Sequence, residues 1–345
     1  MVHRPCIVVA GGAGFVGSHF VDAAVARGHR VVVVDKLTYA GRRENVEAAL
    51  ATGRADLRVL DVCDREAIDA LLARKRPRAI VNFAAESHVD RSIEAPPAFI
   101  RTNILGTFTL VSAALAYWQG ASDDERRAFR YLQVSTDEVF GALGATGKFT
   151  EASPKSPSSP YSASKAAADH LVSAWHRTYS LPAIVTYSSN NYGARQHPEK
   201  LIPRMITRAL EGQDLPVYGD GANVRDWIDV RDHARGLLLA LERAAPGSSY
   251  AFGGDAEVAN IDVVRRICRA LDARRPRGDG RRHEAQIRLV KDRPGHDFRY
   301  AIDDARARDE LGFARAHAFD AGLDATVDWY LANEAWWRPL LGAGA

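Results

Sequence analysis

The chain has 345 residues, of which 46% are hydrophobic and 26% are charged, and its formal net charge at pH 7 is +3. This composition is typical of a globular protein with a large core, and so small a charge argues against nucleic acid or another polyanion as a partner. Cys6, Cys63 and Cys268 are too few and too scattered for a disulfide framework, which favours a reducing, cytoplasmic location.

The sequence shows no targeting segment and no metal-binding pattern. The apolar run at 7–10 is too short for a signal peptide, and we expect no apolar stretch long enough to span a membrane. The eleven histidines do not pair with Cys or carboxylates at metal-ligand spacing. We therefore predict neither a membrane partner nor a metal site.

Short apolar runs alternate with helical patterns in the first half of the chain. The runs are continuous, as in strands buried on both faces, and they predict strands at 7–10, 31–34, 57–60, 79–83, 131–134 and 183–187. Amphipathic patterns predict a helix from residue 16 that Gly28 ends, a second over 100–117 and a third over 164–179. We therefore predict an α/β fold with a doubly wound (Rossmann) parallel sheet.

The second half has Pro-rich loops between short helices, after a Pro/Ser-rich loop at 152–160. This change predicts a smaller α/β lobe that binds the substrate. We expect the sheet domain to comprise 1–188 plus about 226–258, and the lobe to comprise about 189–225 plus 259–345. The basic run at 272–284 could bind nucleic acid, but a solvated surface loop is the better interpretation.

A glycine-rich segment joins the first strand to the first helix. Gly11, Gly14 and Gly17 permit a tight turn, close approach of the backbone to a pyrophosphate, and packing of helix against strand. Asp35, roughly twenty residues further on, can accept hydrogen bonds from the adenosine ribose hydroxyls. A carboxylate there disfavours a 2′-phosphate, so the motif predicts NAD rather than NADP.

Some of these residues have a second interpretation. Asp35 could be an N-cap or turn residue, and Lys36 could weaken the discrimination against NADP. Asp61 and Val62, after the third strand, could pair with the adenine amino group, although an Asp at a strand end is often only a cap.

Tyr161 and Lys165 lie one helical turn apart, with Pro160 suited to the first turn of the helix. A nearby ammonium lowers the pKa of a phenol, so a phenolate could take a hydroxyl proton as hydride leaves for NAD. Such a pair is often structural by itself. After a dinucleotide fingerprint it predicts a redox site.

Thr136, Asp137 and Glu138 follow the strand at 131–134. Thr136 can hydrogen-bond the reacting hydroxyl, and two adjacent carboxyls in a closed site should differ in pKa, so that one acts as acid and the other as base. The pair could also be an ordinary acidic turn. An acid and a base beside a redox site predict elimination of water.

Ten motifs spread over nearly the whole chain are those of a known family. They are GGAGFVGSH at 11–19, DKLTYAG at 35–41, AAESHVDRSI at 84–93, TNILGT at 102–107, STDEVFG at 135–141, SPYSASK at 159–165, SNNYG at 189–193, PEKLIP at 198–203, RDW at 225–227 and DRPGHD at 292–297. With these motifs the chain resembles the extended short-chain dehydrogenase/reductases, and specifically nucleotide-sugar 4,6-dehydratases of the dTDP-glucose type. Epimerases, decarboxylases and GDP-mannose dehydratases share the fold and the Tyr–Lys pair but differ at 136–138.

The resemblance implies a reaction in three parts. Tyr161 takes the proton of the 4-hydroxyl of the sugar while hydride passes from carbon 4 to NAD. Glu138 then removes the hydrogen on carbon 5 as Asp137 protonates the departing 6-hydroxyl. Hydride returns to carbon 6, so NAD acts catalytically and the product is a 4-keto-6-deoxy sugar nucleotide.

The resemblance also implies binding residues and a homodimer. Besides Tyr161 and Lys165, the residues assigned to NAD are Gly11, Gly14, Phe15, Val16, Gly17, Asp35, Lys36, Thr38, Asp61, Val62, Ala84 and Ala85. Those assigned to the nucleotide sugar are Ser87, Asn191, Glu199, Lys200, Leu201, Pro216, Tyr218, Arg225, Asn260, Arg293, His296 and Tyr300. Dimerisation through the helices that begin near Ile100 and Ser164 is a further family expectation.

The chain departs from the family pattern at several positions. Ala10 stands where Thr is frequent, Phe140 where Tyr is common, and Asp229 where many relatives have an aromatic residue or His. The turn at 194–197 replaces a Pro-Tyr turn and borders the segment that meets the base. A UDP-glucose or UDP-N-acetylglucosamine 4,6- or 5,6-dehydratase therefore stays open as an alternative, as does a non-catalytic NAD or nucleotide-sugar sensor.

Overall fold

A computed structural model describes residues 6–341 of the chain. Its strands are β1 (Cys6–Ala10), β2 (Arg30–Asp35), β3 (Ala55–Val59), β4 (Ala79–Asn82), β5 (Arg130–Val134), β6 (Ala183–Ser188), β7 (Asn190–Tyr192), β8 (Leu215–Tyr218), β9 (Val224–Asp229), β10 (Ser249–Phe252), β11 (Glu257–Ala259) and β12 (Ile287–Val290). Its helices are α1 (Phe15–Ala26), α2 (Glu47–Ala51), α3 (Arg65–Lys75), α4 (Val89–Glu94), α5 (Pro96–Phe99), α6 (Gly106–Gln119), α7 (Asp123–Ala128), α8 (Pro160–Tyr179), α9 (Leu201–Leu210), α10 (Val230–Arg243), α11 (Asn260–Arg274), α12 (Ala305–Leu311), α13 (Phe319–Ala332) and α14 (Glu334–Trp337).

A seven-stranded parallel sheet with the order β10-β6-β5-β4-β1-β2-β3 lies at the centre of the fold. Ala10 pairs with Val34 of β2 and with Asn82 of β4, so these three strands end at one edge of the sheet. The strand order reverses direction at β1 and β4, which is where ligands bind in doubly wound folds. The predicted α/β fold class is confirmed.

Helices cover both faces of this sheet because its strands are apolar on both sides. In β1, Ile7 and Val9 belong to one buried cluster, and Val8 belongs to the cluster on the opposite face. Helices α1 and α10 pack together on the first face, and α3, α6 and α8 pack on the second. Burying one such Val or Ile side chain stabilises the fold by about 2 kcal/mol.

A second set of elements forms a smaller unit beyond the ends of the large sheet. Strands β11, β9 and β7 form a three-stranded sheet, and β12 pairs with β8. A third buried cluster joins α9, α11 and α13, with Trp337, Tyr330 and Tyr192 among its fully buried side chains. The basic run at 272–284 lies partly in α11, and its arginines at 274 and 275 pair with Asp328 and Glu334.

The helix predicted over 100–117 begins earlier than expected and contains a π-helical segment, Ile100–Leu105. The continuous helical stretch Pro96–Gln119 is long and apolar enough to cross a membrane, so the expectation that no such stretch exists is wrong by that measure. Half of its apolar window is buried within the protein, which is typical of a core helix. Leu105 and Phe108 remain exposed.

Candidate active site

One continuous cleft follows the carboxyl ends of the parallel strands and continues into the smaller unit. It consists of two cavities of about 270 and 180 Å³. The residues that line both cavities are Ser87, Glu138, Asn190, Glu199 and Lys200. All five candidate catalytic residues, Thr136, Asp137, Glu138, Tyr161 and Lys165, line the first cavity.

The glycine loop at one end of the first cavity leaves little room for side chains. Gly11 has φ +71°, and a Cβ atom on it would lie 2.5 Å from the backbone nitrogen of Ala84. A Cβ atom on Gly17 would lie 2.3 Å from the carbonyl oxygen of Gly11. Helix α1 begins after Gly14 with no side-chain cap from any described residue, so its first N–H groups face the cavity unpaired. This arrangement fits the pyrophosphate of a dinucleotide.

Asp35 lies at the end of β2 with its carboxylate turned toward the glycine loop. Its two oxygens accept hydrogen bonds from the backbone nitrogens of Ala13 (3.0 Å) and Leu37 (2.9 Å). Burial raises the pKa of Asp35. The carboxylate therefore orders the loop, as the turn interpretation held, and each oxygen keeps a lone pair that can accept from a ribose hydroxyl.

The other residues predicted to bind the adenosine of the cofactor differ in burial and in their contacts. Lys36 Nζ lies 3.4 Å from Thr102 Oγ1 and 3.9 Å from Asp61 Oδ2. Asp61 Oδ1 accepts from the backbone nitrogen of Cys63 at 2.9 Å, as a turn cap does. Val62 is a core residue, whereas Thr38 is exposed and lines neither cavity.

Tyr161 and Lys165 project from the first turns of α8. This helix begins at a capping box in which Ser159 Oγ accepts from the backbone nitrogen of Ser162 at 3.1 Å. Lys165 Nζ donates to the carbonyl oxygen of Val134 at the end of β5, at 2.7 Å. The pair is thus fixed between the start of a helix and the end of a strand.

The protonation of this pair differs from the sequence expectation. Burial raises the pKa of Tyr161 well above its usual value, and Glu138 and Asp137 raise it further. Burial also lowers the pKa of Lys165. The expected lowering of the phenol pKa is therefore not produced by the described residues alone, because two acidic side chains share the cavity with the phenol.

The two adjacent carboxyls of the site occupy different environments. Burial, followed by Glu138 and Asp226, raises the pKa of Asp137 well above its usual value. Burial also raises the pKa of Glu138, but Arg293 and Lys200 oppose that increase. Asp137 Oδ2 has no hydrogen-bond partner within residues 6–341. Asp137 is therefore suited to hold a proton, and Glu138 to accept one.

The second cavity contains most of the residues predicted for the nucleotide. Those that line it are Ser87, Glu199, Lys200, Leu201, Pro216, Tyr218, Arg225, Asn260, Arg293 and His296. Arg225 lies over the ring of Tyr300, 4.3 Å from its centroid, so Tyr300 supports the cavity from beneath without lining it. No group of three His, Cys, Asp or Glu side chains in the described part of the chain could hold a metal ion.

Asn190, which the sequence analysis did not identify, lines both cavities, whereas Asn191 lines only the first. The amide nitrogen of Asn191 donates to Ser188 Oγ and to the carbonyl oxygen of Ser189, both at 3.1 Å, and its oxygen lies 2.8 Å from His233 Nδ1. Asn190 Oδ1 is buried, has no partner among the described residues, and borders both cavities. The alternation of strand β7 gives the two residues opposite directions.

Asp90 is a second residue that the sequence interpretation missed. Its carboxylate accepts from Tyr218 OH at 3.2 Å and from Arg293 Nη1 at 3.3 Å. It lies in the motif at 84–93, but no spacing separates it from surface charges of the same kind. Asp90, which itself lines the second cavity, joins α4 to two other residues of that lining.

The turn at 194–197, where the sequence departs from the family pattern, is tied to α1. Arg195 Nη2 donates to Asp22 at 2.7 Å, and the carbonyl oxygen of Ala194 accepts from His19 Nε2 at 2.9 Å. Burial lowers the pKa of His19 to about 3, so this ring is neutral. His197 lines the first cavity next to Glu199.

A glycine loop at the switch point and a Tyr–Lys pair beside it place this chain among the extended short-chain dehydrogenases/reductases. The sequence model of the family described as GDP-mannose 4,6 dehydratase matches residues 8–326. The chain belongs to this family of nucleotide-sugar 4,6-dehydratases, and its most similar relatives include dTDP-glucose 4,6-dehydratases. The enzyme from Xanthomonas campestris pv. campestris (strain B100) is 53% identical over 336 residues, which cover 97% of this chain and 95% of the relative.

Further relatives agree with this placement. The dTDP-glucose 4,6-dehydratase of Neisseria meningitidis serogroup B is 51% identical over 339 residues, covering 97% of this chain and 96% of the relative. DesIV, the dTDP-glucose 4,6-dehydratase of Streptomyces venezuelae, has been solved with NAD and TYD bound. It superposes with a TM-score of 0.88 at 42% identity, covering 97% of this chain and 99% of DesIV. The family resemblance predicted from the motifs is confirmed.

Proposed function

We propose that the protein is an NAD-dependent hydro-lyase that converts dTDP-glucose to dTDP-4-keto-6-deoxyglucose. The observation that carries this proposal is the position of Asp137 and Glu138, which line the same cavity as Tyr161 and Lys165. A redox pair alone suits an epimerase or an alcohol dehydrogenase. A protonated carboxyl and a second, more easily ionised carboxyl beside it add what elimination of water requires.

The redox half of the site consists of Tyr161, Lys165 and Thr136. Gly11, Gly14 and Gly17 would hold NAD, which would supply the hydride acceptor for carbon 4 and the hydride donor for carbon 6. Tyr161, as phenolate, takes the proton of the 4-hydroxyl, and Thr136 orients that hydroxyl. The ammonium of Lys165 offsets the negative charge on the phenolate oxygen.

The elimination half uses the two carboxyls in opposite roles. A ketone at carbon 4 acidifies the hydrogen on carbon 5, and the Glu138 carboxylate removes it. Asp137 gives its proton to the 6-hydroxyl, which leaves as water. The Asp137 proton is available at neutral pH because burial and Glu138 raise the pKa of this carboxyl.

The second cavity would hold the nucleotide diphosphate. Arg293 suits a phosphate because its Nε is buried and has no hydrogen-bond partner in the described residues, so a donor is free. Arg225 donates to the carbonyl oxygens of Val224 and Asp297, at 2.8 and 2.9 Å, and is therefore held in place before any substrate binds. Glu199 and Lys200 lie where the two cavities meet.

The identity of the sugar nucleotide is tested by product analysis. Purified protein is incubated with dTDP-glucose, UDP-glucose and UDP-N-acetylglucosamine in turn, and the 4-keto product is measured by its absorbance in strong alkali and by mass. We expect turnover of dTDP-glucose, a mass loss of one water, and no net change in NADH. A preference for a uridine nucleotide, or a 5,6-unsaturated product, would replace the proposal with the corresponding alternative. No turnover of any of the three would favour a sensor.

We also propose that the protein acts in the cytoplasm as a homodimer. The exposed apolar side chains Ile100, Leu105, Phe108 and Tyr179 are 46, 53, 44 and 46% exposed, and all lie on the π-helical segment, α6 or α8. The ring of Trp175 on α8 packs edge-on against Phe108 of α6, with centroids 5.7 Å apart, so the two helices form one surface. A second copy of the same surface would cover it.

A further inference from the structure

A buried charged cluster lies behind the Tyr–Lys pair and is used by no step of the proposed reaction. Asp169, one turn after Lys165 on α8, is fully buried. Its Oδ2 accepts hydrogen bonds from Ser135 Oγ at 2.8 Å and from Lys155 Nζ at 2.9 Å. Its Oδ1 has no partner within the described residues. Such a carboxylate is costly to bury unless cations balance it.

Lys155 comes to this carboxylate from outside α8. It lies in the Pro/Ser-rich loop at 152–160, its side chain is only 15% exposed, and its ammonium lies 5.3 Å from the centroid of the Tyr187 ring. Lys165, on the same helix as Asp169, donates its hydrogen bond to the carbonyl oxygen of Val134 instead. One buried ammonium group, that of Lys165, and one partly buried ammonium group, that of Lys155, therefore accompany one buried carboxylate.

The charges in this cluster leave one positive charge over. Asp169 contributes −1, and Lys155 and Lys165 contribute +1 each. When Tyr161 ionises, its phenolate brings the total to zero. Without Lys155, Asp169 would cancel the charge of Lys165, and the phenolate would form in a cluster that is already neutral.

We propose that Lys155 is a positioning residue for the redox step: it neutralises Asp169, so that the charge of Lys165 remains available to the Tyr161 phenolate. This inference rests on the proposed role of Tyr161 as the base. The ionisation itself is a simple proton loss, in which the phenol O–H gives its proton to solvent and the phenolate then takes the proton of the 4-hydroxyl.

Other charged groups also face the phenol. Glu138 and Asp137 line the same cavity as Tyr161 and oppose its ionisation. Asp169 opposes it as well, from within α8. Glu151 faces Tyr187, and its carboxylate accepts a hydrogen bond from the backbone nitrogen of Ala251 at 2.7 Å. The test must therefore change the charges of Lys155 and Asp169 and leave Asp137 and Glu138 unchanged.

Three variants provide that test: Lys155→Met, Asp169→Asn, and the two combined. The first readout needs neither substrate nor turnover. It is the pH titration of tyrosinate absorbance, taken as the difference between each variant and the same variant carrying Tyr161→Phe. The second readout is the pH profile of kcat/KM with dTDP-glucose, whose acid limb reports the ionisation of the base.

We expect Lys155→Met to move the ionisation of Tyr161 to higher pH by about one unit, the effect of losing one nearby cation. Activity on the acid limb then falls about tenfold. Asp169→Asn moves the ionisation to lower pH. The double variant has the wild-type net charge and returns both readouts to within about threefold of wild type. Lys155→Arg, which keeps the charge, leaves the ionisation pH unshifted.

A purely structural role for Lys155, as an anchor of its loop, would lower thermal stability without moving either pH readout. That result overturns the proposal. The proposal is also overturned if the double variant shows the same ionisation pH of Tyr161 and the same acid-limb activity as Lys155→Met. Lys148→Met is the matched control, because it removes an exposed Lys–Asp pair of 3.0 Å to Asp255. If the enzyme accepts a different sugar nucleotide, the tyrosinate titration still shows whether Lys155 affects the ionisation of Tyr161. Failure of the proposed function and failure of this inference therefore remain distinguishable.

Discussion

Asp137 and Glu138 are consecutive residues whose carboxyl groups have different charged neighbours. Asp137 is turned toward two other acidic side chains, Glu138 and Asp226, and its pKa is raised well above the usual value, first by burial and then by those neighbours. Glu138 is turned toward Arg293, Lys200 and the second cavity, and these cations oppose the increase in its pKa that burial causes. One short turn thus holds an acid and a base side by side.

Replacing Asp137 by Asn should stabilise the protein at neutral pH. Because the folded-state pKa of Asp137 is raised, the folded state keeps a proton that the unfolded state has lost at any pH between the ordinary value and the raised one. Stability therefore falls as pH rises through that window, by up to about 1.4 kcal/mol per pH unit. Urea unfolding at several pH values measures the effect. The free energy of unfolding should decrease less steeply with rising pH in Asp137→Asn than in wild type.

The same variant should lose activity. Asn cannot give a proton to the departing hydroxyl, and loss of a general acid costs about 10²–10⁴-fold in kcat. Asp123→Asn, at an exposed position on α7, is the control for a change of charge alone. If the Asp137→Asn enzyme keeps the wild-type kcat, a group other than Asp137 protonates the departing 6-hydroxyl.

Replacing Glu138 by Gln should separate oxidation from elimination. The amide cannot remove the hydrogen on carbon 5, so exchange of that hydrogen with solvent deuterium should fall by about 10²-fold or more, while NAD remains bound. NMR of the substrate in heavy water follows the exchange, and the absorbance of the bound cofactor reports transient reduction. Exchange at the wild-type rate would show that a different base acts.

Asn190 and Asn191 offer a matched pair of variants. Asn190→Ala removes a buried oxygen that faces both cavities, so KM for dTDP-glucose should rise about tenfold with little change in stability. Asn191→Ala removes the partner of Ser188, Ser189 and His233, so the free energy of unfolding should fall by about 1–3 kcal/mol. Steady-state kinetics and urea unfolding of both variants measure the two effects. If Asn191→Ala raises KM and Asn190→Ala lowers the free energy of unfolding, Asn191 is the residue that contacts the substrate.

Sequence patterns predicted the central strands because burial on both faces leaves a continuous apolar run. They were accurate for β1, which is fully buried, and less so for β3, expected at 57–60 and found at Ala55–Val59. Strand β3 lies at the edge of the sheet, where its side chains are half-exposed and its composition is mixed. The π-helical segment was not predictable from periodicity, and the side chain of Asn103 within it bonds residues distant in the sequence, namely the backbone of Glu86 and the hydroxyl of Ser164.

The site was predictable as a set of motifs but not as a charge arrangement. The triplet at 136–138 and the Tyr–Lys pair each follow from a short spacing. The contact of Asp90 with Arg293 joins residues 203 positions apart, and that of Lys155 with Asp169 depends on the path of an irregular loop. Neither contact follows from periodicity, since the first depends on how distant segments pack and the second on the conformation of a loop.

The surface formed by α6 and α8 predicts how the protein should respond to a charge placed on it. If Leu105 and Phe108 are covered by a second copy, Phe108→Glu would bury a carboxylate against apolar side chains, and the dimer dissociation constant should rise at least about tenfold. Analytical ultracentrifugation over a concentration series measures this. Leu289→Glu is the matched control: Leu289 is an apolar residue on β12 that is 62% exposed, against 44% for Phe108, and the substitution should leave the constant unchanged. Equal effects of the two substitutions, or a wild-type chain that sediments as a monomer at micromolar concentration, would place the contact elsewhere.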